Sequence, residues 1–215
     1  MLAAQDRNAA GPRFVVALDA AHGGDDAGAR LSNGQQEKAY TLALSVRLRS
    51  LLMARGIAVV TTRESDTAVD ADRRAEIANR ANAQACLSLH ASESGSGTHL
   101  FVSSLAPVQG ALFQPWRTAQ AAWVPRSLSL AGVMNSALVH AGMTVTLGRT
   151  ALPAIDSMAC PAVAVEVAPE PKPKMQGDAQ GQDGMDDPGY QARVAEALAA
   201  ALVEWRSQAM GAHQP

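Results

Sequence analysis

The amino-acid sequence predicts an α/β fold: a single domain in which a mostly parallel, twisted central sheet of about six strands carries helices on both faces. Three observations predict it. Short β-rich runs alternate with stretches of helical period along the chain, the order that parallel strands joined by crossover helices require. The first run, FVVALD, is continuously apolar, as strands buried on both faces are. Finally, 215 residues with 47% apolar and 18% charged side chains suffice for one core. That composition is not that of a disordered chain, and no apolar run reaches the roughly 20 residues that a membrane-spanning helix needs.

Taken in order, FVVALD at 14–19 is the first strand and runs into a glycine-rich loop, AHGGDDAGA. Ser32-Asn33-Gly34 supplies a hairpin-type turn. From Glu37, the spacing of Tyr40, Leu44, Leu48, Leu51 and Arg55 marks one helical stripe closed by Gly56. Strand IAVVTT at 57–62 precedes Asp70, which is placed to cap a helix running to about residue 83. CLSLH at 86–90 and THLFVS at 98–103 are the next strands. Residues 104–124, with two prolines and two tryptophans, have no clean period and read as an irregular insert. Pro125 fits the first turn of a helix that carries Leu130, Val133, Met134, Ala137, Leu138 and Ala141 and stops at Gly142. After the strand AVAVEVA at 162–168, residues 169–189 are too polar and too broken to pack and read as a long surface loop. A last helix, from Tyr190 to Ser207, turns Tyr190, Val194, Leu198, Ala201, Leu202 and Trp205 to one side. The domain is expected over 13–208, between a flexible segment at 1–12 and a tail at 209–215.

Eighteen basic against twenty acidic side chains leave a formal net charge of -2, so no basic field gathers nucleic acid or anionic lipid. No nucleic-acid partner and no membrane insertion are expected, and nothing requires more than a monomer. Cys86 and Cys160 lie in apolar, strand-like segments and form no CxxC pair. They read as small buried hydrophobes that leave the redox compartment open. The opening MLAAQDRNAAGP lacks both the basic start and the apolar stretch of a secretion signal, as in a protein that stays inside or one that has lost its leader.

Parallel sheets bind ligands beyond the carboxyl ends of their strands, where loops converge without disturbing the core. Here the first strand leads through Asp19 to His22, the third ends at His90 and the last carries Glu166 near its end. Side-chain alternation puts Cys86, Ser88 and His90 on one face, and likewise Ala162, Ala164 and Glu166, so small residues flank each polar group. Two imidazoles and a carboxylate at one locus suit zinc, and Glu37 at the head of the first helix supplies a carboxylate. No HExxH signature is present, and each group has a structural alternative. His22 can bond its own loop, Glu37 is favoured at a helix N-terminus by the dipole, and Glu166 can sit in an ion pair. Reading AHGGDDAG as a phosphate cradle meets the absence of both the GxGxxG spacing and a GK[ST] ending.

Seven segments in order, DAAHGGDDAGA, EKAYTLALSVRLRSLLMARG, VVTTRESD, RAEIANRANA, CLSLHAS, PAVAVEVA and YQARVAEALAAAL, resemble the zinc-dependent N-acetylmuramoyl-L-alanine amidases, bacterial cell-wall hydrolases of the amidase-3 type. The similarity runs from about Phe14 to Trp205. It implies that His22, Glu37 and His90 bind one Zn2+ per chain and that Glu166 is the catalytic glutamate. It also implies cleavage of the amide between N-acetylmuramic acid and the L-alanine of the stem peptide, with peptidoglycan or a muramyl peptide as partner, in the cell envelope, periplasmic or secreted. The alternatives are a noncatalytic wall-binding or regulatory relative and a zinc peptidase cutting within the stem.

Asp19 is a candidate carboxylate behind a ligating histidine, with capping of the glycine loop as the alternative. Arg63 and Asp66 of the TRxxD segment are assigned to fixing the turn that follows the second strand, and Arg73 and Asn79 to structure. No role falls to His99, His140 or His213. The chain departs from the family pattern at Ala21, where glycine is usual, at Ser92, where asparagine is usual, and in VAPEPKPK after the last strand. Ser92, Trp116 and Trp123 are candidate substrate contacts, the tryptophans alternatively anchoring a long loop to the core. Some relatives are plugged by a helix, but Pro107, Gly110 and Pro115 argue against a long helix in 104–124, so an open site is expected. The sequence names no activator.

Overall fold

The computed structural model describes residues 13–108, 115–171, 182–185 and 187–211. The expected N-terminal segment, residues 109–114 of the irregular insert, most of the polar loop and His213 lie outside the described residues. In chain order the elements are β1 (Val15–Ala20), α1 (Glu37–Ala54), β2 (Ala58–Thr61), α2 (Ala71–Arg80), β3 (Ala85–Ala91) and β4 (Thr98–Ser103). They continue with a 3-10 segment (Trp116–Ala122), α3 (Val124–His140), β5 (Val145–Thr150), α4 (Pro153–Asp156), β6 (Ala162–Val167), β7 (Glu170–Pro171), β8 (Gln182–Asp183) and α5 (Pro188–Gly211).

Six strands form one sheet in the order β2-β1-β3-β6-β4-β5. Every pairing is parallel except that of β4 with β6. The apolar runs of β1, β3 and β6 occupy interior positions, as strands without polar alternation must. On one face, Leu18, Leu87, Leu89, Val163 and Val165 meet the stripes of α1, α3 and α5, including Leu48, Leu130, Leu198 and Trp205. Each large side chain buried there is worth about 1.5–3 kcal/mol, so this face carries most of the hydrophobic stabilisation. The α1 stripe is Tyr40, Leu44, Leu48 and Leu52, with Leu51 only partly buried.

The opposite face is made of small side chains: Ala17, Cys86, Ala162 and Ala164 lie under Ala75 and Ala78 of α2 and Ile155 of α4. Small residues leave a hollow at the carboxyl end of this face, and His22 and His90 line it. Here Cys86 and Cys160 are joined in a disulfide with a Cα–Cα distance of 6.2 Å, which corrects their reading as unpaired buried hydrophobes. Register is the reason. Cys86 pairs with Ala162, which stands two residues after Cys160, so the sheet brings together positions separated by 74 residues.

Asp70 caps α2 by accepting the Arg73 N–H at 2.8 Å, as its position predicts. Gly56 closes α1 with a φ of 72°, a conformation that costs a side-chain-bearing residue more. The sequence reading missed β5, an edge strand whose VTLGRT is interrupted by Gly148, and the four-residue α4. It also assigned no element to 169–189, where β7 and β8 pair antiparallel. The irregular insert contains a 3-10 segment, and α5 extends beyond its expected span at both ends. No helix among the described residues is long and apolar enough to cross a membrane.

Candidate metal centre

The chain leaves β1 through Ala21 and reaches His22 with a φ of 63°, a left-handed conformation that is uncommon for a residue other than glycine. Two buried arginines hold it there. Arg74 Nη2 donates to the His22 carbonyl at 2.8 Å, while its Nη1 donates to Ala20 O at 2.7 Å and to Asp19 Oδ1 at 2.5 Å. Arg63 donates to the carbonyls of Ala20, Ala21, Lys38 and Ser65. Asp66 accepts the Gly24 N–H at 2.8 Å and pairs with Lys38 at 2.7 Å. The TRxxD segment thus clamps the glycine loop to the start of α1.

Glu37 enters the same space from the first turn of α1. Glu37 is buried, and its carboxylate accepts the N–H groups of Ala29 at 2.9 Å and Ala91 at 3.1 Å. It also faces two imidazoles: His22 Nε2 is 3.0 Å from Oε2, and His90 Nδ1 is 3.1 Å from Oε1. Gly28 permits this convergence, since a Cβ there would stand 2.6 Å from Glu37 Oε2 and 2.7 Å from His22 Cδ2. Burial pushes the Glu37 carboxyl up, but the hydrogen bonds from His22, His90, Ala29 and Ala91 outweigh it and hold the group well below its usual range. The His22 imidazole is pushed up by its hydrogen bond to Glu37, against the opposing effect of burial and with help from Asp26.

One donor atom from each of His22, Glu37 and His90 lies within 4.8 Å of the other two. Two imidazole nitrogens and a carboxylate oxygen are the donor set of a catalytic zinc site that keeps its fourth position for water. The side chains of His22 and His90 remain 23% and 32% exposed, against 7% for Glu37, so the group opens outward through its histidines. They open into a cleft of about 520 Å³ floored by Ser88 and Ala164 and walled by Val69, Asp70 and Ala71 on one side and Leu152, Pro153 and Ala154 on the other. The described part of 104–124 contributes nothing to its lining.

Glu166 is the register partner of His90 across β3 and β6 and shares its sheet face. On its other side it pairs with His99 of β4, whose Nδ1 is 2.5 Å from Thr146 Oγ1. Asp19 is buried and reaches no histidine directly. It accepts from Thr62, Arg74 and Ser88, and Ser88 Oγ in turn is 3.3 Å from His90 Nε2. Ser92 sits at the end of β3 bonded to Ser94 and outside the cleft lining. Trp116 is 52% exposed with the Arg117 guanidinium over its ring and lines a neighbouring groove beside α2, whereas Trp123 is half-buried at the head of α3. The sequence reading gave no role to Asp26, whose Oδ2 is 2.8 Å from His22 Nδ1, or to Arg74, and placed Ser88 only as a small residue on the His90 face. Asp26 stood in view within the loop, but only the loop's closure onto His22 identifies it.

A family model described as N-acetylmuramoyl-L-alanine amidase matches residues 16–204. The chain belongs to this family, amidase-3. Among curated relatives, it is 42% identical over 81 residues to N-acetylmuramoyl-L-alanine amidase AmiA of Escherichia coli, a stretch covering 38% of this chain and 28% of that protein. It is 39% identical over 98 residues to the sporulation-specific N-acetylmuramoyl-L-alanine amidase of Bacillus subtilis, covering 45% of this chain and 37% of that one. The matched stretches therefore span well under half of those amidases. Among solved structures, the catalytic domain of CwlV, N-acetylmuramoyl-L-alanine amidase from Bacillus (Paenibacillus) polymyxa, superposes with a TM-score of 0.67 at 24% identity, covering 90% of this chain and 98% of that chain. Ami1 of Mycobacterium smegmatis gives a TM-score of 0.69 at 22% identity, covering 91% and 97%. At that identity the superpositions establish the shared fold.

Proposed function

We propose that this amidase-3 domain hydrolyses the amide between the lactyl group of N-acetylmuramic acid and the L-alanine of the peptidoglycan stem, using one Zn2+ per chain held by His22, Glu37 and His90. The observation that carries the proposal is the convergence of those three donor sets at the head of an open cleft with Glu166 in the adjoining register position. When bound there, zinc supplies Lewis acidity that lowers the pKa of a water and polarises the scissile carbonyl. The cleft walls from α2 and the 152–154 segment hold the glycopeptide against the sheet ends. Glu166 accepts the proton of the attacking water on its carboxylate and returns it to the departing L-alanine nitrogen, which leaves poorly as an unprotonated amide anion.

The disulfide supports a location outside the reducing cytoplasm, and we assign the protein to the cell envelope, where its substrate lies. The test is incubation with muramyl peptides followed by identification of the newly exposed amine. An N-terminal L-alanine is the expected product. A new amine within the stem contradicts the proposal in favour of a peptidase, and intact substrate contradicts it in favour of a wall-binding relative.

A further inference from the structure

The two histidines face Glu37 through different ring nitrogens, and each has its remaining nitrogen engaged by a separate partner. His22 presents Nε2 to the carboxylate and turns Nδ1 to Asp26 Oδ2 at 2.8 Å. His90 presents Nδ1 and turns Nε2 to Ser88 Oγ at 3.3 Å. A carboxylate can only accept, so the Asp26 contact requires a proton on His22 Nδ1 and leaves Nε2, which faces Glu37, as the nitrogen whose proton a bound ion would replace. Ser88 has a single hydroxyl proton, and it goes to Asp19 Oδ2 at 2.7 Å. Its oxygen therefore accepts from His90, which requires a proton on Nε2 and leaves Nδ1, which faces Glu37, as the nitrogen whose proton a bound ion would replace.

One buried side chain, Arg74, supports the Asp19–Ser88 pair and the His22 backbone. Arg74 holds Asp19 in place through Nη1, which fixes the acceptor for Ser88, and holds the left-handed His22 backbone through Nη2. The imidazoles are thereby oriented before any ion arrives.

We propose that Asp26 and the Asp19–Ser88 pair are positioning residues that set which nitrogen of each histidine coordinates: Nε2 of His22 and Nδ1 of His90. The inference rests on the metal-centre reading above. Losing such a partner behind a ligating histidine costs 10–100-fold in metal affinity, because the free ring samples the wrong tautomer and orientation.

The test uses the whole chain, stripped by chelation and titrated with Zn2+ against a chromogenic chelator. Wild type takes up one equivalent, Ser88→Ala and Asp26→Asn bind about 10–100-fold more weakly, and Ser88→Thr restores affinity by returning the hydroxyl. Thermal melts of the stripped variants separate a folding defect from a coordination defect. Asp26 lies on the exposed loop, so its substitution leaves the core intact. Imidazole nitrogen NMR of the zinc-loaded protein then reads the tautomers directly: a proton on Nδ1 of one ligating ring and on Nε2 of the other. Wild-type affinity in both Ser88→Ala and Asp26→Asn, or the same protonated nitrogen on both rings, overturns the inference. A wild-type protein that takes up no zinc overturns the metal centre itself, and the inference with it.

Discussion

Glu166 stands directly across the β3–β6 pairing from His90, on the same face of the sheet, while its other neighbour in register is His99. Glu166 belongs to a central strand, so its placement beside His90 is fixed by backbone hydrogen bonds and no loop movement is needed to set it. Replacing Glu166 with Gln keeps the size and removes the base. Zinc content should stay at one per chain while turnover on muramyl peptides falls by roughly 10²–10⁴-fold, the range attributed to a positioned acid or base. Metal analysis beside a steady-state assay checks it. Undiminished turnover would remove Glu166 from the reaction.

The disulfide ties the strand bearing His90 to the segment entering the strand bearing Glu166. Cross-linking positions 74 apart restricts the unfolded chain, an effect worth about 4 kcal/mol in the chain-entropy model. The double variant Cys86→Ala/Cys160→Ala should therefore unfold at lower urea concentration than the oxidised wild type, and reductant should shift the wild type but leave the variant unmoved. Equal midpoints for oxidised and reduced wild type would contradict the bridge.

Arg63 ties the strand end before His22 to α1 and to its own turn through the carbonyls of Ala20, Ala21, Lys38 and Ser65. Arg63→Leu strands those acceptors at about 1–3 kcal/mol for each that stays buried and unpaired. The expected outcome is a loss of about 3 kcal/mol or more by urea unfolding, accompanied by weaker zinc retention because His22 loses its support. A change confined to stability, with zinc affinity untouched, would show that the loop holds its shape without this clamp.

The chelated protein should show a stability optimum in mildly acidic solution. Glu37 has a folded pKa below its ordinary 4.5, so its contribution is present above that pH and is lost as the pH falls. His22 has a folded pKa above its ordinary 6.5, so its contribution is complete below that pH and fades as the pH rises through the raised value. Both contributions are full between the two, and thermal melts of the stripped domain should peak there. The decline on the alkaline side should be smaller in His22→Gln. Zinc reverses the trend above neutrality, because binding requires the histidines unprotonated.

Much of the candidate site was legible in the sequence because each of the three residues that converge ends or follows a recognisable element: His90 closes CLSLH, Glu37 opens the α1 stripe and His22 follows the first apolar strand. Alternation also put Ser88 with His90 and Ala164 with Glu166 on common faces, as the cleft lining and register bear out. What remained hidden depended on pairing between distant strands. The disulfide follows from the β3–β6 register, which no local pattern encodes. β5 escaped notice because an edge strand needs neither a continuous apolar run nor clean alternation, and Gly148 breaks what alternation exists. Arg74 carries no local signal in the sequence, and only the fold brings its guanidinium to the His22 carbonyl.

The central claim, a single ion shared by His22, Glu37 and His90, is tested most directly by crystallising the zinc-loaded protein and locating the ion by anomalous scattering at the zinc edge. The account predicts one strong peak about 2.0–2.2 Å from a nitrogen of each histidine and an oxygen of Glu37, opening toward the cleft. A peak bound by other residues, or none at those three, would contradict it.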